Sequence, residues 1–142
     1  ADCLPVFLCD RAGSRVAVVH AGWRGLVNGV IEAGVLALRT PSDELLAWLG
    51  PAIGPEFYEV GDDVRDEFVA VDAEAEGAFR ARGQGKWLAD MYTLARQRLN
   101  AIGVVSVHGG DRCTYREQEL FFSYRRDGTT GRMASLIWIE PG

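Results

Sequence analysis

The sequence has 142 residues, of which 48% carry hydrophobic side chains and 25% are charged. This length and composition are typical of one globular domain that can bury a core. The formal net charge is −5, with acids and bases mixed along the chain and no basic stretch, which argues against a nucleic-acid partner. The longest apolar runs have the length of a strand, so we expect no membrane-spanning segment.

The three cysteines are widely spaced and include no CxxC pair. An odd number in this arrangement disfavours a disulfide framework and favours a reducing compartment, so we predict a cytoplasmic protein. The chain opens on Ala1-Asp2-Cys3 and an apolar run, with neither a basic leader nor an initiating methionine. We therefore expect a further N-terminal part ahead of Ala1.

Two short apolar runs, residues 4–9 and 15–20, predict a β-hairpin at the start of the chain. The residues between them include the turn formers Asp, Gly and Ser. Antiparallel pairing would place Cys3 and His20 together at the open end of this hairpin. Apolar residues at helical spacing then predict a helix that begins near Arg24, so His20 falls at a strand-to-helix junction.

The middle of the chain predicts one more strand and one more helix. Residues 45–49 are typical of a strand, and the sequence GPAIGP at residues 50–55 predicts a rigid, non-helical loop. Asp62 or Asp63 could cap a helix that runs to about Ala70.

The following stretch, as far as Lys86, is the least patterned part of the chain and predicts a mobile connection. Asp90 as a cap and Gly103 as a stop then bound a helix whose apolar residues repeat every three or four positions. Residues 104–107 and 133–139 predict strands. Strands and helices interleaved without a regular repeat indicate an α+β domain with a mixed sheet.

Cys3 and His20 are the first candidates for chemistry. Cysteine and histidine are common zinc ligands, and the hairpin brings these two close enough to share one metal ion. The same proximity would let His20 withdraw the proton from Cys3 and make it a thiolate nucleophile. A cysteine and a histidine near strand ends are more often packing or solvent residues, so the pair alone leaves these interpretations open.

The segment HAGWRG at residues 20–25 adds a candidate anion site. Its two glycines permit close backbone approach, and the predicted helix offers free N–H groups at its start. Arg24 could clamp a phosphate or carboxylate there, although an arginine after a turn is as common on a plain surface.

Four blocks form a pattern that spans nearly the whole chain. They are ADCLPV at residues 1–6, HAGWRG at 20–25, GPAIGP at 50–55, and DRCT at 111–114 together with FFSYRRD at 121–127. In this order the blocks resemble the YfiH family, also called the laccase-domain or polyphenol-oxidase family. The resemblance implies one α+β domain over residues 1–142, in which mixed β-sheets pack face to face with helices outside, as in the catalytic domain of cytotoxic necrotizing factor.

The resemblance also implies a metal ion, usually zinc and sometimes copper, held by one cysteine and two histidines. Cys3 and His20 match two of these ligands. The third family histidine precedes the Ala-Asp-Cys block, so we expect it upstream of Ala1. His108 does not match that position. Asp2, next to Cys3, is a candidate general acid or base, or a group that orients the ligand.

The chain has too few metal ligands for a true laccase, because a multicopper oxidase needs a histidine-rich cluster and this chain has two histidines. The resemblance otherwise implies phosphorolysis of adenosine or inosine, with adenosine deamination beside it. Arg24 would bind the phosphate, and a zinc ion would activate the water for deamination. The HxE and PCxxC pattern of zinc deaminases is absent.

Two other hypotheses stay open. In the first, the protein is a metal-free thiol hydrolase in which Cys3 attacks an amide bond, for example in a peptidoglycan precursor, and His20 is the base. In the second, the chain has no activity because its site is incomplete. Metal content separates the two enzyme hypotheses.

Several further residues allow both a functional and a structural interpretation. Cys113 lies near two arginines that could lower a thiol pKa, but a buried core residue is the favoured interpretation, so we expect its substitution to leave metal binding intact. Arg125, Arg126 and Asp127 could clamp phosphate or pair with one another. Four aromatic residues could stack on a purine but are more often core: Trp23, Trp48, Phe57 and Tyr58.

Overall fold

The computed structural model describes all 142 residues, Ala1–Gly142. The strands are β1 (Leu4–Asp10), β2 (Val16–Ala21), β3 (Leu45–Leu49), β4 (Glu59–Gly61), β5 (Phe79–Gly83), β6 (Lys86–Ala89) and β7 (Ser106–Gly109). The α-helices are α1 (Trp23–Val27), α2 (Val30–Leu38), α3 (Asp62–Val71), α4 (Met91–Ala101) and α5 (Tyr124–Asp127). This arrangement confirms the predicted α+β class.

Four strands form a mixed sheet in the order β2-β1-β3-β7, in which β3 and β7 run parallel and the other neighbours run antiparallel. A separate antiparallel sheet has the order β4-β6-β5. The predicted hairpin of β1 and β2 is confirmed, and Pro5 pairs with His20 near its open end. Along β1 the buried side chains of Leu4, Val6 and Leu8 alternate with partly exposed ones, so one face of the sheet points into the core.

The first helical region covers this face of the mixed sheet. It begins within one residue of the predicted start at Arg24, but it is divided into α1 and α2. The division falls at Gly29, whose φ of 88° is left-handed and interrupts the helical backbone. Helix α2 then approaches β2 closely, because a Cβ at Gly34 would lie only 2.7 Å from Val19 Cγ1.

Helices α3 and α4 lie within a residue or two of their predicted bounds. Helix α3 begins at Asp62 and ends at Val71, but its cap is Gly61, so the prediction that Asp62 or Asp63 caps it was wrong. The Asp90 carboxylate caps α4 by accepting a hydrogen bond from the backbone N–H of Thr93 at 3.0 Å. With 11 residues, α4 is the longest helix, and no helix is long and apolar enough to cross a membrane.

The prediction of a mobile connection before Lys86 was wrong. The chain there forms a 3-10 helix at Ala73–Ala78 and then the hairpin of β5 and β6. The turn of that hairpin uses three consecutive left-handed residues, Gly83, Gln84 and Gly85. Strand β5 has the sequence FRARG, whose arginines and single large apolar residue concealed the strand.

The two strands predicted in the last third of the chain also need correction. The first is shifted by two residues, because Ser106–Gly109 rather than residues 104–107 pairs with β3. The second, at residues 133–139, forms no strand. Its apolar side chains stay exposed, including Leu136 and Trp138, each 69% exposed. A strand requires a paired backbone, and none of the strand pairings in this chain includes this segment.

Candidate functional site

Cys3 and His20 lie together at the open end of the β1–β2 hairpin, as predicted. Cys3 immediately precedes β1, and His20 is the last residue but one of β2. A Cβ placed on Gly22 would lie 3.1 Å from Cys3 Sγ and 3.6 Å from His20 Nε2. Sulfur and nitrogen therefore face the same small space, and the missing side chain of Gly22 keeps that space open.

The Cys3 thiol has a perturbed pKa and no hydrogen bond to His20. Loss of hydration raises the pKa of Cys3, and the negative charge of Asp2 adds to this; the positive charge of Arg132 acts in the opposite direction. Both Cys3 and His20 are exposed to solvent. A thiol of raised pKa is mostly protonated at neutral pH, and a nearby metal cation would favour its thiolate form.

The donor set fits part of a metal site. A thiolate sulfur and an imidazole nitrogen are ligands that zinc and copper accept, and the space at Gly22 is shared by both. No group of three metal-binding side chains occurs in the structure. His108 cannot complete the set, because it lies on β7, at the opposite edge of the sheet from His20 and three strand spacings, or about 14 Å, away.

Asp2 ties three distant segments together beside Cys3. One carboxylate oxygen accepts a hydrogen bond from Thr114 Oγ1 at 2.6 Å, and the other accepts one from the backbone N–H of Arg125 at 2.8 Å. The backbone carbonyl of Asp2 accepts a third from the N–H of Ile53 at 3.0 Å. The role of Asp2 as a general acid or base stays a prediction; the geometry supports a role in positioning Cys3.

A buried tyrosine holds the loops behind this site. The Tyr92 hydroxyl accepts a hydrogen bond from the N–H of Ala52 at 2.8 Å and donates one to the carbonyl of Arg112 at 2.7 Å. Burial raises the pKa of Tyr92 to about 12, although the hydrogen bond from Ala52 acts in the opposite direction. Residues 50–55 and the segment around Cys113 are thereby fixed to α4.

The predicted phosphate ligand, Arg24, lies at the rim of the site. Its side chain is exposed and its guanidinium stacks 4.5 Å from the ring centroid of Trp23. It lines neither of the two cavities that Cys3 and His20 both line. Its role in phosphate binding stays a prediction.

The arginines of the last block are engaged within the chain. Arg126 donates to the carbonyls of Thr114, Tyr115 and Phe121 and pairs with the carboxylate of Asp127, so it is a structural residue. Arg125 donates to the Glu59 carbonyl at 2.8 Å and stacks on the Tyr58 ring.

Two cavities meet at the Cys3–His20 pair. One has a volume of about 420 Å³ and is also lined by Val18, Arg132 and Ser135. The other, of about 400 Å³, is also lined by Tyr58, Tyr124 and both Arg125 and Arg132. Sequence reasoning missed Arg132, because its relation to Cys3 depends on contacts over more than 100 residues. Tyr124 lies in the block at residues 121–127, but no role was predicted for it.

Of the four aromatic residues considered for purine stacking, Tyr58 is the one in these larger cavities. Trp23 lines a smaller cavity of about 40 Å³ that also includes Cys3 and Tyr58. Phe57 stacks on Tyr115 with ring centroids 4.5 Å apart, and Trp48 packs against Phe7. Burial raises the pKa of the Tyr58 phenol, so its O–H remains a donor at neutral pH.

Cys113 occupies a different environment and is buried. Its sulfur accepts hydrogen bonds from the backbone N–H groups of Gly54 at 3.2 Å and Arg116 at 3.4 Å. These contacts support its interpretation as a core residue.

Comparison with known proteins identifies a family and close relatives of this chain. The model of the family described as multi-copper polyphenol oxidoreductase laccase matches residues 1–140. The chain is 61% identical over 139 residues to the purine nucleoside phosphorylase YfiH of Escherichia coli (strain K12), an alignment that covers 98% of this chain and 57% of that protein. It is 58% identical over 141 residues to the purine nucleoside phosphorylase PA4543 of Pseudomonas aeruginosa, which covers 99% of this chain and 58% of that protein.

Solved structures agree with these sequence relatives. The crystal structure of the Neisseria meningitidis protein NMB0706 superposes with a TM-score of 0.98 at 55% identity, over 99% of this chain and 58% of that one. The chain thus spans a little under three fifths of the length of these relatives. Residues 1–140 carry the family pattern and the fold is shared, so the chain belongs to the laccase-domain family, the YfiH family that its sequence blocks resemble.

Proposed function

We propose that the protein is a purine nucleoside phosphorylase that acts on adenosine and inosine at a metal site. The observation that carries this proposal is the convergence of Cys3 Sγ and His20 Nε2 on the space beside Gly22. The names of the Escherichia coli and Pseudomonas aeruginosa relatives support the reaction. We further propose that zinc is the metal, with copper as the alternative, and that the third ligand is a histidine outside this chain.

The reaction replaces one bond to the ribose with another. A phosphate oxygen forms a bond to C1′ while the bond from C1′ to the purine nitrogen breaks, and its electron pair leaves with the base. The base takes up a proton, and the products are the free purine and ribose 1-phosphate. When bound, the metal ion would supply Lewis-acid chemistry, which would also serve adenosine deamination as a side activity.

The chain itself supplies binding and orientation. The Tyr58 phenol, whose raised pKa keeps it protonated, can donate a hydrogen bond to the departing base from within the 400 Å³ cavity. The Tyr124 ring at the same cavity offers an apolar surface for the nucleoside. Asp2 holds the segment that carries Cys3 in place through Thr114 and Arg125.

The metal-free thiol hydrolase is less well supported. Such an enzyme needs a thiolate activated by a hydrogen-bonded base. No hydrogen bond joins Cys3 to His20, and the surroundings raise the pKa of the Cys3 thiol instead of lowering it.

The direct test is to mix the metal-loaded, full-length protein with adenosine and phosphate and to quantify adenine and ribose 1-phosphate. We expect both products in equal amounts, dependence on phosphate, and a loss of at least about 100-fold in kcat/KM for Cys3→Ser, which removes a ligand. Product formation that persists after chelation, or amide hydrolysis that depends on Cys3 without nucleoside cleavage, would contradict the proposal.

A further inference from the structure

Arg132 is the arginine that lines both cavities at the Cys3–His20 pair. Its guanidinium lies over the Tyr124 ring, 5.9 Å from the centroid. Its one hydrogen bond within the chain goes to the adjacent carbonyl of Gly131, at 3.2 Å. The donors of this cation are therefore largely free for a ligand.

The other arginines near the site differ from Arg132 in pairing or in position. Arg126 pairs with Asp127 and Arg116 pairs with Glu56, whereas Arg125 donates to the Glu59 carbonyl and lines only the 400 Å³ cavity. No carboxylate of residues 1–142 lies within salt-bridge distance of Arg132, so its charge has no ion-pair partner among these residues. A guanidinium in this state favours an anion with several oxygens, because its donors form paired hydrogen bonds to phosphate.

The position of Arg132 suits a phosphate better than the position of Arg24 does. Arg24 stacks on Trp23 outside both cavities, and it lies on α1, a helix of only five residues. Arg132 instead shares the 420 Å³ cavity with Ser135, whose hydroxyl makes no hydrogen bond within the chain and can donate to the same anion.

We propose that Arg132 binds the phosphate group that enters the reaction, in the cavity beside Cys3 and His20, while the Tyr124 ring orients its guanidinium. This inference rests on the proposed phosphorylase function for the identity of the anion, which we take to be inorganic phosphate. A nucleotide such as adenosine 5′-monophosphate carries the same chemical group and is the alternative source.

The test compares Arg132→Gln, Arg132→Lys and Arg24→Gln in the metal-loaded, full-length protein. Two quantities are measured: the KM for phosphate at saturating inosine, and the Kd for inorganic phosphate by calorimetry without nucleoside. We expect Arg132→Gln to raise both by about 10- to 100-fold, as is typical of losing a charge-assisted contact. The KM for inosine should change much less, Arg132→Lys should recover part of the loss, and Arg24→Gln should raise the KM for phosphate by less than Arg132→Gln does.

The outcomes separate this inference from the proposed function. If the wild type cleaves inosine and Arg132→Gln keeps its KM for phosphate, or if Arg24→Gln raises that KM more than Arg132→Gln does, the inference is wrong and the function stands. If the wild type cleaves no nucleoside but binds phosphate through Arg132, the function is wrong and the anion site stands. An Arg132-dependent affinity for adenosine 5′-monophosphate without one for inorganic phosphate would overturn the co-substrate assignment. Melting temperatures should change little, because Arg132 makes one side-chain hydrogen bond and no ion pair within residues 1–142.

Discussion

Two cysteines of this chain lie equally close to a glycine but differ in their exposure and in the hydrogen bonds of their sulfur. A Cβ on Gly22 would lie 3.1 Å from Cys3 Sγ, and a Cβ on Gly54 would lie 3.1 Å from Cys113 Sγ. Cys113 is buried and its sulfur accepts two backbone hydrogen bonds, whereas Cys3 is exposed and its sulfur accepts none. The close glycine packs the core at one cysteine and leaves an open space at the other.

This difference separates the proposed metal ligand from the core cysteine, although both residues lie in sequence blocks of the family. The sulfur of Cys113 uses its lone pairs to satisfy N–H groups that would otherwise be buried without a partner. The sulfur of Cys3 accepts no hydrogen bond within the chain and lies beside the space that His20 also faces. The state of the sulfur lone pairs, more than the identity of the residue, distinguishes a candidate ligand from a structural cysteine.

Alanine substitutions at the two glycines test the difference between the two cysteine sites most sharply. Gly22→Ala should lower the metal affinity by about 10- to 100-fold with little loss of stability, since its φ of −65° suits alanine and only the space between the donors is filled.

Gly54→Ala should instead destabilise the fold by about 1–3 kcal/mol, because its Cβ presses on a buried sulfur, and leave metal affinity unchanged. Metal titration and denaturant unfolding measure the two effects.

Gly77→Ala is the matched control, because a Cβ there has no atom within 4 Å. It should change neither quantity. If Gly22→Ala behaved like Gly77→Ala in metal affinity, the shared space would not be the metal site.

An effect on stability alone is expected at Tyr92, whose hydroxyl is bonded to the loops at Ala52 and Arg112. Tyr92→Phe leaves the Ala52 N–H and the Arg112 carbonyl without their partner and should cost about 1–3 kcal/mol of unfolding free energy. Metal affinity should stay within a few-fold of the wild type, because Cys3 and His20 keep their own positions. A loss of metal binding as large as that of Gly22→Ala would show that the two regions are coupled.

The raised pKa of Tyr92 also predicts how the stability of the fold depends on pH. The pKa of Tyr92 is raised from 10.0 to about 12 in the folded state, so its stabilisation is complete below pH 10 and is lost as the pH rises towards 12. Wild-type protein should therefore lose stability more steeply than Tyr92→Phe over this interval. Equal slopes in the two proteins would contradict the assignment.

The sequence predicted the features that depend on local patterns. The hairpin, which brings Cys3 to His20, follows from two apolar runs and a turn, and helix α4 follows from its Asp90 cap and apolar spacing. The break at Gly29 was missed because the apolar spacing continues across it. The strand predicted at residues 133–139 shows the opposite error: apolar residues alone indicate a strand, but only a paired backbone makes one.

The surroundings of the site could not be predicted because they join distant parts of the chain. Asp2 meets Thr114 across 112 positions, and Arg132 reaches the cavity of Cys3 from the far end of the sequence. Thr114 is fully buried, yet nothing in its sequence neighbourhood marks it as the partner of an aspartate. Such contacts depend on the packing of whole elements, which a linear pattern does not contain.

We propose that Cys3 holds a metal ion and that Cys113 does not. The most direct measurement is the metal content of the full-length protein, purified without chelators, for the wild type, Cys3→Ser and Cys113→Ser, by elemental analysis. We expect bound zinc or copper in the wild type and in Cys113→Ser, and little or none in Cys3→Ser although that variant stays folded. Equal metal content in Cys3→Ser and the wild type, or loss of metal in a folded Cys113→Ser, would contradict it.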